Sequence, residues 1–103
     1  MFARVSVYEI PTDRMGDAAH EFRGALDQIS GLEGFHEAFF FMAAEDGRAT
    51  ATTLWTSRSA MEASRMAART LRTQAAHAVG GGVVSAIEYE VALHIGAGDP
   101  EPV

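Results

Sequence analysis

The chain has 103 residues and a formal net charge of −6 at pH 7, a length that suits one domain. This acidic balance argues against nonspecific binding to nucleic acid or to an anionic membrane, because both need an excess of cations. The sequence contains no cysteine and no lysine, which excludes disulfides, thiolate sites and Schiff-base chemistry. Without a signal-peptide pattern or a membrane-length apolar run, we expect a cytoplasmic protein.

The first half of the chain is typical of strand, helix and strand. Residues 2–10 alternate imperfectly between polar and apolar side chains and predict a strand that Pro11 ends. Apolar residues recur at helical spacing over residues 15–29. Three consecutive phenylalanines, residues 39–41, then lie in a predicted strand over residues 35–44. Side chains of a strand alternate between its two faces, so this strand is apolar on both.

The second half predicts strand, helix and strand. An Asp-Gly turn leads into a threonine-rich strand over residues 48–56. Residues 57–79 predict one long helix, in which Ser59 and Glu62 form a capping box. Three glycines separate it from a long apolar strand over residues 83–95. The order β-α-β-β-α-β indicates an α+β, ferredoxin-like antiparallel sheet with both helices on one face.

Residues 1–95 are expected to form this domain, and residues 96–103 a flexible tail without an apolar anchor. Two helices cover only one side of a four-stranded sheet. The uncovered side would carry one phenylalanine row of the second strand. It would also carry a row of the last strand made of Val83, Ile87, Tyr89, Val91, Leu93 and Ile95. Such a patch exceeds what a monomer tolerates, so we predict a homodimer formed sheet against sheet.

Several short motifs carry a resemblance to a known family. They are LEGF (32–35), LWTSRSAMEASR (54–65), the pair Leu71-Arg72 and IEYEV (87–91). On these motifs the chain resembles the antibiotic biosynthesis monooxygenase family of the dimeric α/β-barrel superfamily, over roughly residues 2–95.

The resemblance implies oxygenation of a polycyclic aromatic substrate, often without metal, flavin or haem. In such a reaction the enzyme deprotonates an electron-rich phenol, and the resulting carbanion passes an electron to oxygen. The protein supplies an apolar pocket, an anion stabiliser and a proton relay. We therefore expect a cofactor-independent monooxygenase of a small aromatic or quinol-like compound, with no cofactor and no metal. The alternative is a non-catalytic module of the same fold that binds a small apolar ligand or serves in assembly.

The same superfamily holds haem-degrading monooxygenases. Their pattern implies an asparagine on the first strand, a tryptophan within the second helix and an axial histidine on that helix. His77 can match the histidine. Arg4 or Ser6 stands in place of the asparagine, however, and Ser64 in place of the tryptophan. With two of three features missing, haem degradation is the least favoured alternative.

Three residues are candidates for catalysis. His77 can act as a general base or a metal ligand, and the alternative is an exposed histidine favoured by the carboxyl end of its helix. His36 begins the apolar strand beside Glu37, facing either a pocket or its rim. Tyr89 can donate a hydrogen bond to a developing oxyanion. No two histidines have close ligand spacing, so no metal site is expected.

The predicted second helix has an inner stripe of small residues. Alanine on this stripe either lets the helix approach the sheet closely or leaves a cavity. Trp55 can stack on a flat substrate, and the favoured alternative is a core anchor at the junction of strand and helix. A pocket for an aromatic ligand would be lined by Trp55, Phe22, Phe39 or Phe40, Phe41 and Met66. The same side chains also describe an ordinary core.

Four arginines, Arg58, Arg65, Arg69 and Arg72, share one predicted helix face. The favoured interpretation is a solvated face opposite the alanines, with Glu62 paired to Arg65 or Arg69. The alternative is an anion-binding stripe. Arg72 borders the inner face and is counted among the substrate-binding candidates.

Overall fold

The computed structural model describes residues 1–97, which form a four-stranded antiparallel sheet with helices on one face. This confirms the predicted ferredoxin-like α+β arrangement, with strand order β2-β3-β1-β4. No helix within the described residues is long and apolar enough to cross a membrane. The elements are β1 (Phe2–Glu9), α1 (Met15–Ile29), β2 (Phe35–Ala43), β3 (Arg48–Trp55), α2 (Arg58–Ala63), α3 (Arg65–Ala78) and β4 (Gly82–Glu90). Most of the predicted tail, residues 98–103, lies outside the described part.

The two sides of the sheet follow from the register of its strands. Tyr8 of β1 packs against Phe22 of α1, with ring centroids 4.6 Å apart. Alternate residues of a strand share a face, so Arg4 and Ser6 lie beneath the helices together with Tyr8. We call this side the covered face and the opposite side the open face. β3 lies antiparallel beside β1, and Thr53 pairs with Arg4 on the covered face.

The core fills the space between the covered face and the helices in two clusters. The first is centred on Phe22, whose ring stacks on Phe40 with centroids 4.7 Å apart. The second is centred on Trp55, which is fully buried with Ile29 and Met61. Both clusters hold aromatic anchors, and such side chains dominate the packing free energy of a small domain.

The strand β2 is apolar on both faces, as predicted. Phe40 contributes to the core on the covered face. Phe39 and Phe41 lie on the open face, where their rings stack with centroids 5.6 Å apart. They are 41% and 55% exposed, which leaves a phenylalanine row that none of residues 1–97 covers.

The last strand is shorter than predicted. β4 ends at Glu90, and the Val91 N–H adds one more hydrogen bond, 2.9 Å to the carbonyl of Met1. A bulge near Val84 shifts the register, so Val83 pairs with Tyr8 of the covered face. The predicted apolar row is therefore reduced to Ile87 and Tyr89 on the open face of β4. Leu93 and Ile95 lie beyond the strand and are exposed.

The predicted single helix over residues 57–79 is interrupted at Ser64. The carbonyl of Met61, which a continuous helix would pair with the N–H of Arg65, accepts from two side chains. Ser64 Oγ donates to it over 2.7 Å, and Arg4 Nη2 over 2.8 Å. These side-chain donors compete with the helical backbone bond at this turn, which explains why α2 and α3 are separate.

The break changes which alanines face the sheet. The predicted inner stripe included Ala63, Ala67 and Ala78, all of which are exposed. Ala75 of the predicted stripe is buried as expected, and Ala68 and Ala76 are buried although they were not part of it. The predicted capping box is also wrong, because Ser57 Oγ accepts the hydrogen bond from the N–H of Ala60 over 3.1 Å. Leu71 of the stripe also packs against the core, so the prediction fails at some positions of the helix and holds at others.

Candidate functional site

An inner cavity lies between α1, α3 and the centre of the covered face. Its volume of about 20 Å³ is roughly the room that one water molecule needs. Its apolar wall comes mainly from Phe22, Ala25, Leu26, Ile29, Ala51 and Ala68. Its polar wall is formed by Arg4, Ser6, Tyr8, Thr53 and Arg72. Two arginines and a tyrosine in the centre of a small core are unusual, because buried polar groups need partners.

Arg72 is the polar group that lacks partners. It enters the cavity from α3, and its Nε and Nη1 atoms are buried without a hydrogen bond to any described residue. Burial lowers the pKa of this guanidinium; Arg4 and Arg69 lower it further, whereas Tyr8 and Glu88 oppose them. A buried donor without a partner costs about 1–3 kcal/mol. An anionic or strongly accepting ligand atom beside Arg72 would remove that cost.

Tyr8 supplies a second donor to the same cavity. Burial raises the pKa of its phenol, and the Ser6 hydroxyl, Arg72 and Arg4 only partly offset that rise. The phenol therefore keeps its proton near neutral pH. Tyr8 can donate a hydrogen bond there, but it is a poor base.

Arg4 differs from Arg72 because its guanidinium is hydrogen-bonded to neighbouring side chains. Its Nη2 lies 2.7 Å from Glu88 Oε2 and its Nη1 3.1 Å from Ser64 Oγ. The same carboxylate accepts from Arg65 Nε at 3.0 Å. The hydrogen bond from Arg65, with that from Arg4, lowers the pKa of Glu88 to about 2 despite its partial burial. Glu88 thus pairs with both Arg4 and Arg65, whereas the partly buried Arg72 forms no ion pair with any residue among 1–97.

A groove of about 640 Å³ opens between α3 and the edge strand β4. Its walls are formed by Arg4, Arg65, Met66, Arg69, Arg72, Ala86, Ile87 and Glu88. Arg4 and Arg72 belong to the walls of both this groove and the inner cavity. These two arginines therefore lie between the groove and the inner cavity.

The three predicted catalytic residues do not meet at this site. His36 begins β2, and His77 lies near the end of α3; both side chains are exposed. Tyr89 is 49% exposed on the open face, with the sheet between it and Arg72. None of the three belongs to the walls of the inner cavity or the groove.

The predicted aromatic pocket is also divided. Phe22 and Arg72 do line one cavity, but the sheet separates Phe22 from Phe39 and Phe41. Met66 is 84% exposed in the outer groove. These side chains therefore do not surround one ligand, because a strand that is apolar on both faces presents its phenylalanines to two different sides.

Trp55 occupies the position of a core anchor. It is fully buried, its Nε1 donates to Thr53 Oγ1 over 3.0 Å, and its ring meets Phe35 edge to face at 5.7 Å. The guanidinium of Arg4 lies 6.0 Å from the ring centroid. Thr53 and Arg4 thereby connect Trp55 to the polar wall, although the indole itself lies outside the cavity walls.

The sequence analysis did not propose Arg4, Ser6, Tyr8 or Thr53 as site residues. A signal for three of them exists, because Arg4, Ser6 and Tyr8 alternate along β1 and so share one face. A strand in the middle of a sheet with polar residues on its helix-facing side indicates a functional cavity. Apolar residues on the other side of the same strand obscure this signal, because they alone already account for a half-buried strand.

Comparison with curated proteins gives two relatives of unassigned function. No family model matches the sequence. Two Mycobacterium tuberculosis proteins, uncharacterized protein Rv2557 of strain H37Rv and uncharacterized protein MT2634 of strain CDC 1551, are each 29% identical over 91 residues. The match covers 87% of this chain but 41% of each relative. The chain thus spans about two-fifths of the length of these relatives.

Comparison with solved structures is more informative about the fold. SnoaB, a cofactor-independent oxygenase from Streptomyces nogalater, superposes with a TM-score of 0.71 at 11% identity over 91% of this chain and 95% of its own. A candidate antibiotic biosynthesis monooxygenase from Nitrosomonas europaea superposes with a TM-score of 0.68 at 13% identity, over 90% of this chain and 100% of its own. The haem degrader MhuD from Mycobacterium tuberculosis superposes with a TM-score of 0.68 at 22% identity, over 93% of this chain and 100% of its own. The chain therefore has the ferredoxin-like fold of the antibiotic biosynthesis monooxygenases.

Proposed function

We propose that this protein is a cofactor-independent monooxygenase that acts on a small aromatic phenol or quinol. The observation that carries the proposal is the pair of buried Arg72 nitrogens, Nε and Nη1, which have no hydrogen-bond partner among residues 1–97. The likeness in fold to SnoaB, described as a cofactor-independent oxygenase, supports the reaction class.

Arg72 would bind the oxygen of the substrate as a phenolate. A cation within a few ångströms stabilises the charged form of a phenol and lowers its pKa. Tyr8, which keeps its own proton, would donate to the same oxygen. The aromatic ring would lie in the groove against the apolar side chains of Met66 and Ala86. Fixed donors aimed at developing charge are the largest catalytic contribution in many enzymes.

The reaction balances without a further reactant. The bound phenolate transfers one electron to O₂, and the resulting phenoxyl and superoxide radicals combine to form one carbon–oxygen bond on the ring. The peroxide takes up the proton that the phenol released. Loss of the proton on that ring carbon then cleaves the O–O bond and expels water, so phenol and O₂ give quinone and H₂O. No carboxylate or histidine lines the inner cavity, so the phenolic proton would pass to water in the groove.

A haem does not fit these residues well. The histidines at positions 20, 36, 77 and 94 are all exposed, and none belongs to the walls of the inner cavity or the groove. His77, the candidate axial ligand, lies near the end of α3 rather than over the polar wall. Haem added to the protein is accordingly expected to leave its Soret band unshifted.

A second candidate is a non-catalytic domain that binds a small aromatic ligand. It is favoured by the same lack of a histidine or carboxylate in the inner cavity, because general-base catalysis requires such a group within hydrogen-bond reach. Both candidates place the ligand oxygen beside Arg72. They differ only in whether oxygen is consumed.

The test is oxygen consumption by purified protein with a panel of phenols and hydroquinones of one to four fused rings. We expect one O₂ consumed for each quinone formed, without added metal, flavin or haem. Replacement Arg72→Gln should lower kcat/KM by about 100-fold or more, because it removes a preorganised cation from the oxyanion. Replacement Tyr8→Phe should lower it by about tenfold, since Tyr8 contributes one neutral donor.

The matched control is Arg23→Gln, since Arg23 is an exposed arginine of α1 whose side chain is 80% exposed. It should leave turnover unchanged. Turnover that requires an added cofactor, or equal rates for wild type and Arg72→Gln, would contradict the oxygenase proposal. Ligand binding without oxygen consumption would leave the binding domain as the function.

We also propose that the protein is a homodimer that pairs the open faces of two sheets. Phe39, Phe41, Ile87 and Tyr89 are between 41% and 55% exposed there. Val5 of the central strand lies between them in register, opposite Ile87 on one side and Thr52 on the other. A contiguous apolar surface of this kind marks an interaction site, and a second copy covers it with a self-complementary contact.

A further inference from the structure

We propose that the groove between α3 and β4 binds a carboxylate on the same aromatic ligand, with Arg69 as its contact residue. The ligand of this site would then be an aromatic hydroxy acid, with its phenolic oxygen at Arg72 and its carboxylate at Arg69. The inference rests on the proposed function, because it assumes that the aromatic ring occupies the groove.

The groove has the opposite charge to the rest of the molecule. The chain carries a formal net charge of −6, yet the walls of this groove hold four arginines and a single carboxylate, Glu88. That carboxylate is already bound by Arg4 and Arg65. A cationic concavity on an acidic protein selects anionic ligands from solution and raises their local concentration.

Arg69 is an exposed cation of the groove without a partner among residues 1–97. It lies one turn after Arg65 and one turn before Arg72, on the same side of α3. Its side chain makes no ion pair or side-chain hydrogen bond with any residue in the part of the chain that the structure describes. The cation also lies close enough to Arg72 to lower the pKa of that guanidinium. Two neighbouring cations without an anion repel each other, and a bound carboxylate would relieve this repulsion.

The arginine face of the helix is therefore not uniform. Arg58 belongs to α2 and lies over the ring of Phe2, 4.9 Å from its centroid. Arg65 is held by Glu88, with Glu62 3.8 Å away. Among the four arginines of the groove, Arg4 and Arg65 each pair with a carboxylate, whereas Arg69 and Arg72 form no ion pair with any residue among 1–97.

The spacing suits one flat molecule with two acidic groups. Side chains three residues apart on a helix have Cβ atoms about 5–6 Å apart, and long arginine side chains extend this reach. Met66 and Ala86 give the groove an apolar wall between its charges. A naphthalene ring with a hydroxyl and a carboxylate on different rings matches this combination of charge and shape.

The test compares two probes by isothermal titration calorimetry under nitrogen, 6-hydroxy-2-naphthoate and 2-naphthol. We expect the naphthoate to bind about tenfold more tightly, since a charged hydrogen bond in an open groove contributes roughly one factor of ten. Arg69→Gln should abolish this preference and leave the affinity for 2-naphthol unchanged. Arg72→Gln should weaken both probes. Salt at 0.5 M should reduce the preference in the wild type, because the groove is open to solvent.

Arg23→Gln is the control and should retain the tenfold preference. Equal affinities for the two probes, no measurable binding of either, or an unchanged preference in Arg69→Gln would overturn the proposal. The outcome is separable from that of the oxygenase proposal. A preference that depends on Arg69, without oxygen consumption by any phenol, would support the carboxylate site while the oxygenase proposal fails. Oxygen consumption without a preference for the naphthoate would support the oxygenase proposal, while the proposal of a carboxylate site fails.

Discussion

Each face of the sheet carries some side chains that the opposite face would ordinarily hold. The covered face, which lies beneath the helices, has Arg4, Ser6 and Tyr8 along its central strand. The open face has Phe39 and Phe41, together with apolar residues of the other strands. In a sheet packed on one side the buried face is ordinarily apolar and the solvent face polar.

These departures from the ordinary pattern indicate that each face has a binding partner outside this single chain. A polar centre beneath helices is unfavourable unless its groups are partnered, and Arg72 is not. An apolar face in water is likewise unfavourable unless a partner covers it. The first therefore indicates a ligand and the second a protein surface, and each can be disturbed separately by mutation.

The largest expected effect is on the core of the covered face. Trp55→Ala should lower the free energy of unfolding by about 3–5 kcal/mol, because it leaves a cavity at a fully buried aromatic anchor. Urea denaturation measures this. Met66→Ala, at an 84% exposed position, should change the free energy by less than about 0.5 kcal/mol. A similar small loss for Trp55→Ala would mean that the covered face does not hold the main core.

The next effect is on the open face. Phe41→Glu should weaken the proposed dimer by about 100-fold or more, because a carboxylate would be buried between two apolar surfaces. Sedimentation velocity should then report the 11.0 kDa monomer in place of a dimer at the same concentration. His77→Glu, at an exposed position of α3, should leave the dimer intact. A wild-type protein that sediments as a monomer would contradict the account of the open face.

A smaller effect distinguishes the paired cation of the covered face from the unpaired one. Glu88→Gln should destabilise the protein at pH 7 by about 1–2 kcal/mol, since it removes a charged acceptor from Arg4 and Arg65. The folded pKa of Glu88 is lowered from 4.5 to about 2. The contribution of the Glu88 carboxylate to the free energy of unfolding is therefore complete above pH 4.5 and is lost as the pH falls toward about 2.

The difference between wild type and Glu88→Gln should accordingly shrink between pH 4.5 and pH 2 when urea denaturation is followed against pH. Glu62→Gln is the matched control, because the Glu62 carboxylate is 3.8 Å from Arg65 and 47% exposed. It should show no such pH dependence. A difference that stays constant down to pH 2 would mean that the Glu88 pairing contributes nothing that depends on its charge.

The smallest effect has the opposite sign. Arg72→Met should raise the free energy of unfolding by about 1 kcal/mol, because it replaces buried nitrogens without partners by apolar atoms. Arg4→Met, which breaks a partnered buried cation, should instead be destabilising. Denaturation of both variants in urea checks the comparison. A loss of stability in Arg72→Met comparable to that in Arg4→Met would show that Arg72 has a structural role.

Much of this fold follows from periodicity in the sequence. The alternation around Phe39, Phe40 and Phe41 predicts a strand that is apolar on both faces, and the element order predicts the ferredoxin-like arrangement; both are confirmed. What periodicity does not contain is long-range competition for hydrogen bonds. The helix break at Ser64 depends on Arg4, which is 60 residues away in the sequence. Beyond the break, the predicted inner stripe is correct at Leu71 and Ala75 and wrong at Ala67 and Ala78, which are exposed.

The site was less accessible to sequence reasoning for a related reason. Burial of Arg72 depends on how α3 meets the sheet, and its missing partners are visible only once every neighbour is placed. Residue type alone favours histidine and tyrosine as catalytic candidates, yet His36 and His77 lie exposed and apart from the cavity. The alternating Arg4, Ser6 and Tyr8 would have been the better signal, because face-sharing in a strand is independent of distant contacts.

The central claim is that Arg72 on the covered face binds a phenolate oxygen, and a chromogenic phenol tests it most directly. The ionisation of 4-nitrophenol is visible in its absorption spectrum, so its pKa can be measured free and bound to the protein. The account predicts that binding lowers the pKa of this phenol by about one unit or more in the wild type, and that Arg72→Gln abolishes the shift. A bound phenol with an unchanged pKa, or the same shift in wild type and Arg72→Gln, would contradict it.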